Sequence, residues 1–274
     1  MLSTEAVKKY RRDGYHFPID VLSADEARAC RKSLEAHEAR TGGPIKGPMR
    51  HKSHLLFTWL NDLIRHPRIL DAVSDIHGEN LLCWSSSFFI KEARDAGYVS
   101  WHQDSTYWGL SSPDVVTVWL AFTPANRTNG CMKFVAGTQS TQASHRDTFH
   151  KDNLLSRGQE LAVEVDETDA VYVELEPGQA SLHHVMLFHG SAPNQSADRR
   201  IGFAIRYIPT HVRQIAGERD SATLVRGVDK FHHFDAEPAP SADLSPDALA
   251  VHAAIARRQA KILYRGTDRD QFRD

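Results

Sequence analysis

The sequence of 274 residues has few cysteines, no long apolar run and no excess of charge of either sign. Its three cysteines, Cys30, Cys83 and Cys131, are odd in number and far apart, which argues against a disulfide framework or a CxxC zinc site and predicts a reducing compartment. Lys and Arg number 33 and Asp and Glu 35, so a formal charge of -2 gives no basic field for nucleic acid or anionic membranes. No apolar run approaches the ~18 residues of a membrane span, and the N-terminus lacks the apolar segment of a secretory signal. We therefore expect a cytoplasmic protein that binds neither nucleic acid nor membrane.

The rest of the composition, 41% hydrophobic and 25% charged, is that of a globular protein and excludes disordered, fibrous and coiled-coil classes. No linker or internal repeat divides the chain, so we expect residues 1–274 to form a single domain. Residues 1–80 are predicted to be mainly helical, with helices over 3–13, 23–40 and 67–77. The first ends at Gly14, the second begins with a capping box of Ser23 and Glu26, and the third begins with Pro67.

From residue 81 to residue 210 the pattern changes to short runs rich in β-branched and aromatic residues, separated by turn-forming segments. Strands are predicted over 81–91, 115–123, 131–137, 170–175, 179–189 and 201–209. Because helical segments are absent between most of them, an antiparallel core closed as a barrel or jelly roll is favoured. Residues 211–274 form a C-terminal extension with an amphipathic helix over 246–265. Its Leu249, Ile255, Ile262 and Leu263 are expected to face the barrel wall.

The first candidate site is the pair His102 and Asp104 in the tetrapeptide WHQD. In an extended strand residues i and i+2 point to the same face, so both side chains could bind one ion. Imidazole and carboxylate form a mixed donor set that suits iron, cobalt, manganese or zinc. A third ligand from a distant strand, for which His189 is the candidate, would complete a two-histidine, one-carboxylate site that leaves three positions open.

Two adjacent arginines, Arg199 and Arg200, follow His189 at the start of the last predicted strand. An arginine offers a planar, permanently charged fork to a carboxylate bound at the metal. Adjacent strand residues point to opposite faces, so only one of the two can reach such a pocket.

These motifs resemble those of the phytanoyl-CoA dioxygenase-like, Fe(II)- and 2-oxoglutarate-dependent oxygenases. The resemblance spans roughly residues 8–210 and rests on WHQD, VTVWLAFTPANRTNGCMKFVAGTQ, PGQASLHHVMLFHGSAPN and RRIGFAIRY. It implies an all-β core with flanking helices, folded as a double-stranded β-helix, the cupin-like jelly roll. It also implies the site residues: His102, Asp104 and His189 as Fe(II) ligands, Arg199 or Arg200 on the far carboxylate of 2-oxoglutarate, Ser191 and Gln103 as further cosubstrate contacts, and Trp119 as a pocket tryptophan.

The sequence departs from the family pattern in two places. The segment between His189 and the arginine pair is one residue shorter than in many relatives, so spacing favours Arg200 whereas alignment of the double arginine favours Arg199. Gln179 replaces an acidic residue after the strand-initiating glycine, which affects a turn contact. Apart from the family pattern, His183 competes with His189 as the distal ligand, because both fall on one predicted strand with the same parity.

The resemblance implies an enzyme that uses Fe(II), 2-oxoglutarate and O2 to hydroxylate an unactivated C–H bond, with succinate and CO2 as coproducts. The presence of Asp104 favours hydroxylation, because related halogenases have Gly or Ala at this position. Two other classes stay open: a non-catalytic metal-binding jelly-roll sensor, and a zinc hydrolase with the same His-Asp-His set. The downstream arginine argues against both, because neither requires a carboxylate clamp.

The substrate is expected to be a small polar molecule, because the loops near the predicted site are short. Tyr107 and Trp108 would suit a cationic head group, whereas Lys91, Asn129 and Arg206 would suit an anionic one. A resemblance to bacterial hydroxylases of small aminophosphonates, including quaternary ammonium phosphonates, suggests such a compound. The alternative is a lipid-like or natural-product substrate, to which the same aromatic residues would offer apolar area.

Overall fold

The helices of the computed structural model, which describes residues 1–272, lie on both sides of a β-sheet core. They are α1 Thr4–Asp13, α2 Ala24–Thr41, α3 Thr58–Leu63, α4 Pro67–His77 and α5 Pro246–Leu263. The three helices predicted near the N-terminus are confirmed. The Ser3 hydroxyl accepts from the amide of Ala6, and Ser23 and Glu26 form the reciprocal capping box. The six-residue α3 was not predicted, and neither were 3-10 helices at Gly47–Arg50 and Ser53–Leu55.

Thirteen strands form the core of the described chain. They are β1 Tyr15–Asp20, β2 Leu81–Lys91, β3 Val99–His102, β4 Val116–Ala121, β5 Met132–Val135, β6 His145–Asp147, β7 Gln159–Leu161, β8 Val171–Val173, β9 Gln179–His184, β10 Phe188–Ser191, β11 Arg200–Pro209, β12 Ser221–Arg226 and β13 Asp235–Ala236. A seven-stranded sheet has the order β1-β9-β4-β11-β2-β12-β13, a four-stranded sheet the order β3-β10-β5-β8, and β6 pairs with β7. All of these pairs are antiparallel except β12 with β13.

The two larger sheets face each other across a shared core, which confirms the predicted jelly roll with flanking helices. Trp119 and Ala204 of the large sheet pack in one cluster with Met132 and Phe134 of the small sheet. On the other face of the large sheet, apolar side chains of α2, α3 and α4 pack against β2, β4 and β11. Among the described strands both sheets end in free edges, so the core is an open sandwich rather than a closed barrel.

Three predictions about secondary structure and one about burial are corrected. Residues 15–20, assigned to the helical part, form β1 at the edge of the large sheet, where a strand containing Pro18 is tolerated. The C-terminal extension supplies β12 and β13 besides its predicted helix. Within α5, Ile255 and Ile262 are buried as expected, but Leu249 is 42% exposed because it lies on the solvent side of the helix.

The third correction affects the site directly. The predicted strand 179–189 is two strands, β9 and β10, because the chain turns at His184, whose carbonyl accepts from the amide of Leu187. β9 belongs to the large sheet and β10 to the small one. His183 and His189 therefore lie on opposite sheets, and the parity argument that linked them does not apply.

No helix among residues 1–272 combines the length and the apolar character needed to cross a lipid bilayer.

Candidate metal centre and its cavities

Three buried side chains with metal-binding atoms come together where β3 meets β10. One donor atom from each of His102, Asp104 and His189 lies within 4.8 Å of the others. His102 and His189 are directly paired across the two strands, and their ring centroids are 4.0 Å apart. Asp104 begins a short 3-10 helix, Asp104–Tyr107, rather than continuing the strand, and its amide donates to the carbonyl of Val185. The side chains predicted as ligands are thus assembled, although not by strand periodicity alone.

Backbone carbonyls orient both imidazoles. Nδ1 of His102 lies 2.9 Å from the carbonyl oxygen of Ser100 and 3.0 Å from that of His189 itself. Nδ1 of His189 lies 2.9 Å from the carbonyl oxygen of Leu187. Because a carbonyl oxygen only accepts, each Nδ1 carries the proton and each Nε2 presents its lone pair. This second layer of hydrogen bonds is the usual support for metal-binding histidines.

The electrostatics of the three groups also suit a cation. Burial, followed by the proximity of His102, lowers the pKa of His189 well below its ordinary value, so the imidazole is neutral. Burial raises the pKa of Asp104, but the adjoining imidazoles of His102 and His189, together with the charge of Arg206, outweigh burial and leave that pKa below its ordinary range. Nε2 of His102 is 3.3 Å from Oδ1 of Asp104. Two neutral nitrogen donors and one carboxylate, all facing one point, fit Fe(II) as well as other divalent metals.

An inner cavity adjoins the triad and encloses about 410 Å³ including its opening. Its lining residues are Phe89, Val99, His102, Asp104, Thr117, Trp119, Met132, His183, His189, Gly190, Ser191, Arg200, Ala204 and Arg206. Trp119 and Ser191, both predicted from the sequence, are therefore beside the triad. Thr117 and His183 are beside it as well. Thr117 was not predicted, and no sequence motif marks it.

Arg200 is the arginine that enters the inner cavity. Its side chain is buried, its Nη1 donates to the carbonyl of Gly130 at 2.5 Å, and its guanidinium carbon lies 5.2 Å from the centroid of the Trp119 ring. Nε has no hydrogen-bond partner among residues 1–272, and no carboxylate of that range pairs with the guanidinium. Burial lowers the pKa of Arg200 to about 10, so the group stays charged at neutral pH. An unpaired buried cation of this kind is costly unless an anion joins it.

Arg199 points away from the cavity, as strand alternation predicts. It does not simply face solvent: Nη1 is 2.5 Å from Glu38 on α2, and Nη2 is 2.6 Å from Glu92. These ion pairs fasten α2 to the start of β11. The choice that the sequence left open between the two arginines is therefore resolved geometrically in favour of Arg200 as the cavity residue.

Three further residues predicted at the site are used within the fold. The Gln103 amide donates to the carbonyls of Thr141 and Met186, and its oxygen accepts from Gln142 and the amide of Ala143. The Asn129 side chain bridges the turn at 124–129.

Lys91 donates to Ser191 Oγ at 2.7 Å and to the carbonyl of Ala192, behind the cavity wall. Burial, and then the charge of Arg200, lower the pKa of Lys91 to about 6. Lys91 therefore supports Ser191 rather than presenting a charge to the cavity.

An outer cavity continues from the inner one and encloses about 710 Å³ including its mouth. Phe89, Asp104 and Arg206 line both cavities. The outer wall also includes Tyr107 and Trp108, as predicted, together with Trp84, His51 and residues of α5. Phe272 closes one side by stacking on His51, with ring centroids 3.9 Å apart. A substrate in the outer cavity would therefore reach the triad past Phe89 and Arg206.

Comparison with known proteins agrees with this geometry. The family profile described as phytanoyl-CoA dioxygenase matches residues 10–202. The chain is 29% identical over 157 residues to a probable alpha-ketoglutarate-dependent hypophosphite dioxygenase of Stutzerimonas stutzeri, an alignment that covers 56% of this chain and 54% of the relative. A probable phytanoyl-CoA dioxygenase of Caenorhabditis elegans is 25% identical, with 54% of this chain and 50% of the relative covered. The chain thus spans about half the length of these curated relatives.

Two solved structures are similar over nearly the whole chain. The apo form of ThoJ, described as a non-heme monooxygenase, has a TM-score of 0.82 and 35% identity, with 94% of this chain and 97% of ThoJ covered. CytC3 with Fe(II) and alpha-ketoglutarate has a TM-score of 0.66 and 26% identity, with 90% of this chain and 98% of CytC3 covered. Both likenesses extend beyond the segment matched by the family profile.

Proposed function

The chain belongs to the phytanoyl-CoA dioxygenase family, and from that premise we propose that it is an Fe(II)- and 2-oxoglutarate-dependent oxygenase that hydroxylates a small molecule. The observation that carries the proposal is the pairing of two features in one cavity. A buried His-Asp-His set faces a buried arginine that has no carboxylate partner among the described residues. A metal sensor or a zinc hydrolase needs the His-Asp-His set but has no need of the unpaired arginine.

Each of these side chains has a role in the proposed enzyme. His102, Asp104 and His189 would hold Fe(II), which together with 2-oxoglutarate supplies the reduction of O2 needed to attack an unactivated C–H bond, with succinate and CO2 as coproducts. Arg200 binds the far carboxylate of 2-oxoglutarate through its planar fork. Trp119 packs beside that guanidinium and keeps water from it. Ser191, held by Lys91, lies on the same wall and orients the cosubstrate.

We propose further that the substrate is a small polar metabolite, of which an aminophosphonate is one candidate. Support comes from the polar side chains in the lining of the outer cavity, such as Arg206 and Gln159, and from the relative described as a hypophosphite dioxygenase, whose named substrate is also a phosphorus oxyanion. We propose that residues 1–274 form one domain and that the enzyme acts in the cytoplasm without a nucleic-acid or membrane partner. The aromatic residues of the outer cavity keep a natural-product substrate as the second candidate.

The test is an anaerobic titration with Fe(II) and 2-oxoglutarate, followed by exposure to O2 in the presence of a metabolite library. We expect one Fe(II) per chain, a visible charge-transfer absorption when 2-oxoglutarate is added, and succinate formation that a subset of metabolites accelerates. Arg200→Ala should lose the absorption at 2-oxoglutarate concentrations that saturate the wild type. Metal binding without any response to 2-oxoglutarate would instead indicate a sensor, and hydrolysis without O2 a zinc enzyme.

A further inference from the structure

Strand β11 carries two buried arginines on the face that lines the cavities. Residues 200, 202, 204 and 206 share this face because side chains alternate along a strand. The register to β2 is regular across all four, and the register to β4 is regular from Gly202 onward. Arg200 and Arg206 are at its two ends, and the small residues Gly202 and Ala204 lie between them, with the indole of Trp119 packed against Gly202. Arg200 serves the inner cavity, whereas Arg206 lies where the inner and outer cavities join. The proposed function uses only the first.

Arg206 has no anionic partner of its own. It is 6% exposed, its Nε has no hydrogen-bond partner among residues 1–272, and it forms no ion pair with a carboxylate there. Its guanidinium carbon lies 5.6 Å from the ring centroid of Phe89 and 5.7 Å from that of Trp108. Asp104 is the carboxylate that attracts it, but Asp104 is also the proposed metal ligand. A buried guanidinium with donors unused is costly, so a partner from outside the chain is the simplest reason for its position.

The charged residues of the outer cavity also favour an anionic ligand. Of the residues in 1–272 that line it, Arg50 and Arg206 are cationic and Asp104 is the single carboxylate. A divalent metal on the triad would offset the charge of Asp104, which leaves the charge of Arg206 without a balancing carboxylate among the described lining residues.

The aromatic faces expected to receive a cationic head group are already covered by arginines. The guanidinium carbon of Arg157 lies 3.9 Å from the ring centroid of Tyr107, and Arg206 lies over Trp108. A quaternary ammonium group at either ring would meet a resident positive charge. The cationic interpretation of Tyr107 and Trp108 therefore gives way to an anionic one.

Resting on the proposed function, we propose that Arg206 is the substrate-recognition residue and that the substrate is an organic anion, a carboxylate or a phosphonate. Its anionic group pairs with Arg206 at the junction of the cavities, and the adjacent carbon chain is held beside the triad. A planar guanidinium suits both classes of anion, since each offers two oxygens to parallel N–H donors.

The experiment measures binding to the anaerobic enzyme loaded with Fe(II) and saturated with 2-oxoglutarate. Four small probes that differ in their charged or polar head group are titrated by calorimetry: ethylphosphonate, butyrate, choline and 1-butanol. We expect saturable binding of ethylphosphonate, butyrate or both, and of neither choline nor 1-butanol. The two anions distinguish a phosphonate site from a carboxylate site.

Variants then assign the binding to Arg206. Arg206→Gln should lower the affinity for the anion by about tenfold to a hundredfold, since a charge-assisted pair is lost. Arg206→Lys keeps the charge without the planar fork and should give an intermediate affinity; it also covers the case in which the glutamine variant fails to fold. Arg127→Gln is the matched control, because Arg127 also lies over an aromatic ring, 4.1 Å from the centroid of Tyr172, but at an exposed site. It should bind the anion as the wild type does.

The proposal is overturned if the wild type binds neither anion, if it binds choline or 1-butanol more tightly, or if both Arg206 variants bind the anion like the wild type. The charge-transfer absorption of the wild type separates these results from failure of the proposed function. If the absorption forms, the oxygenase assignment stands and only the anion site is wrong. If it does not form, the oxygenase assignment itself fails.

Discussion

His189 on β10 lies directly opposite His102 on β3, and the pairing places their ring centroids 4.0 Å apart. The ladder is irregular between His189 and Ser191, immediately beyond this pair. Because a shift of one residue turns a strand side chain to the other face, the register of two four-residue strands decides whether both imidazoles reach one metal. The same pairing lets the carbonyl of His189 hold Nδ1 of His102, so the backbone of one proposed ligand orients the imidazole of the other.

We predict that replacing His102, Asp104 or His189 by Ala abolishes stoichiometric Fe(II) binding. Each change removes one of three converging donors, and two donors on a partly open site hold Fe(II) weakly. The measurement is the iron content of anaerobically loaded protein after gel filtration, with circular dichroism to verify the fold.

His183→Asn is the control for this set. His183 lines the same cavity and its ring centroid is 4.7 Å from that of His189, but it comes from the opposite sheet and is outside the converging triad. We expect His183→Asn to bind one Fe(II). If His183→Asn lost iron while His189→Ala retained it, the distal ligand would be His183 and not His189.

Arg200→Ala should raise the dissociation constant of 2-oxoglutarate by about tenfold to a hundredfold, because a buried charge-assisted pair contributes ~1.5–3 kcal/mol. Arg199→Ala should leave that constant unchanged and lower the melting temperature instead, since Arg199 joins Glu38 and Glu92 away from the cavity. Binding is followed anaerobically by the charge-transfer absorption. Comparable, small effects of the two substitutions on 2-oxoglutarate would contradict the assignment of the clamp.

Much of this site was predictable because the relevant signals are local. Capping residues and glycines mark the ends of the N-terminal helices. Five of the six predicted strand segments each form one strand: β2, β4, β5, β8 and β11. The motif around His102 and the histidine before Gly190 marked the triad, which the fold assembles. Strand alternation alone predicted that the two arginines point to opposite sides.

What could not be predicted depends on contacts between distant segments. The segment 179–189 contains neither glycine nor proline, so the turn after His184 and the change of sheet were not visible in it. From the sequence alone, the side-chain amides of Gln103 and Asn129 are plausible ligand contacts. In the fold, however, their polar atoms form hydrogen bonds with neighbouring residues. Likewise, nothing local shows that Arg157 covers the ring of Tyr107, which lies far from it in the chain.

A buried ion pair away from the site should control acid stability. Lys52 Nζ is 2.5 Å from Glu237 Oε1, His54 Nε2 is 3.2 Å from Oε2, and all three side chains are inaccessible to solvent. Burial raises the pKa of Glu237, but the charge of Lys52 and the hydrogen bond from His54 outweigh burial, so the pKa lies below its ordinary value. Glu237→Gln removes the nearer of two buried carboxylates beside Lys52 and leaves Asp220, whose Oδ1 lies 3.9 Å from Nζ. It should therefore cost about 3 kcal/mol in the free energy of unfolding at pH 7, the lower end of the range for breaking a buried pair.

The pH dependence of that loss follows from the direction of the pKa shift. Since the folded-state pKa is below the ordinary value of 4.5, the stabilisation is complete above that pH and decreases as pH falls toward the folded-state pKa. The stability gap between wild type and Glu237→Gln, measured by urea unfolding, should therefore narrow below pH 4.5. Glu218→Gln breaks an exposed pair with Lys261 and should change stability by less than about 1 kcal/mol. A gap that stayed constant down to pH 3 would show that Glu237 is not the titrating group.

The substitution Gly202→Ala tests whether the room that Gly202 leaves for the indole of Trp119 is required. A Cβ built there would lie 1.9 Å from Cζ2 of Trp119, so even alanine forces the indole or β11 to move. Trp119 is 3% exposed and adjoins Arg200, and its displacement would intrude on the cosubstrate. We expect Gly202→Ala to lower the melting temperature and to raise the dissociation constant of 2-oxoglutarate by about tenfold, because overpacking a core costs ~1–3 kcal/mol. Gly43→Ala is the matched control, because a Cβ there meets nothing within 4 Å, and it should alter neither property. Wild-type affinity for 2-oxoglutarate in Gly202→Ala, with the tryptophan fluorescence of the protein unchanged, would show that the indole of Trp119 has free space and does not hold Arg200 in place.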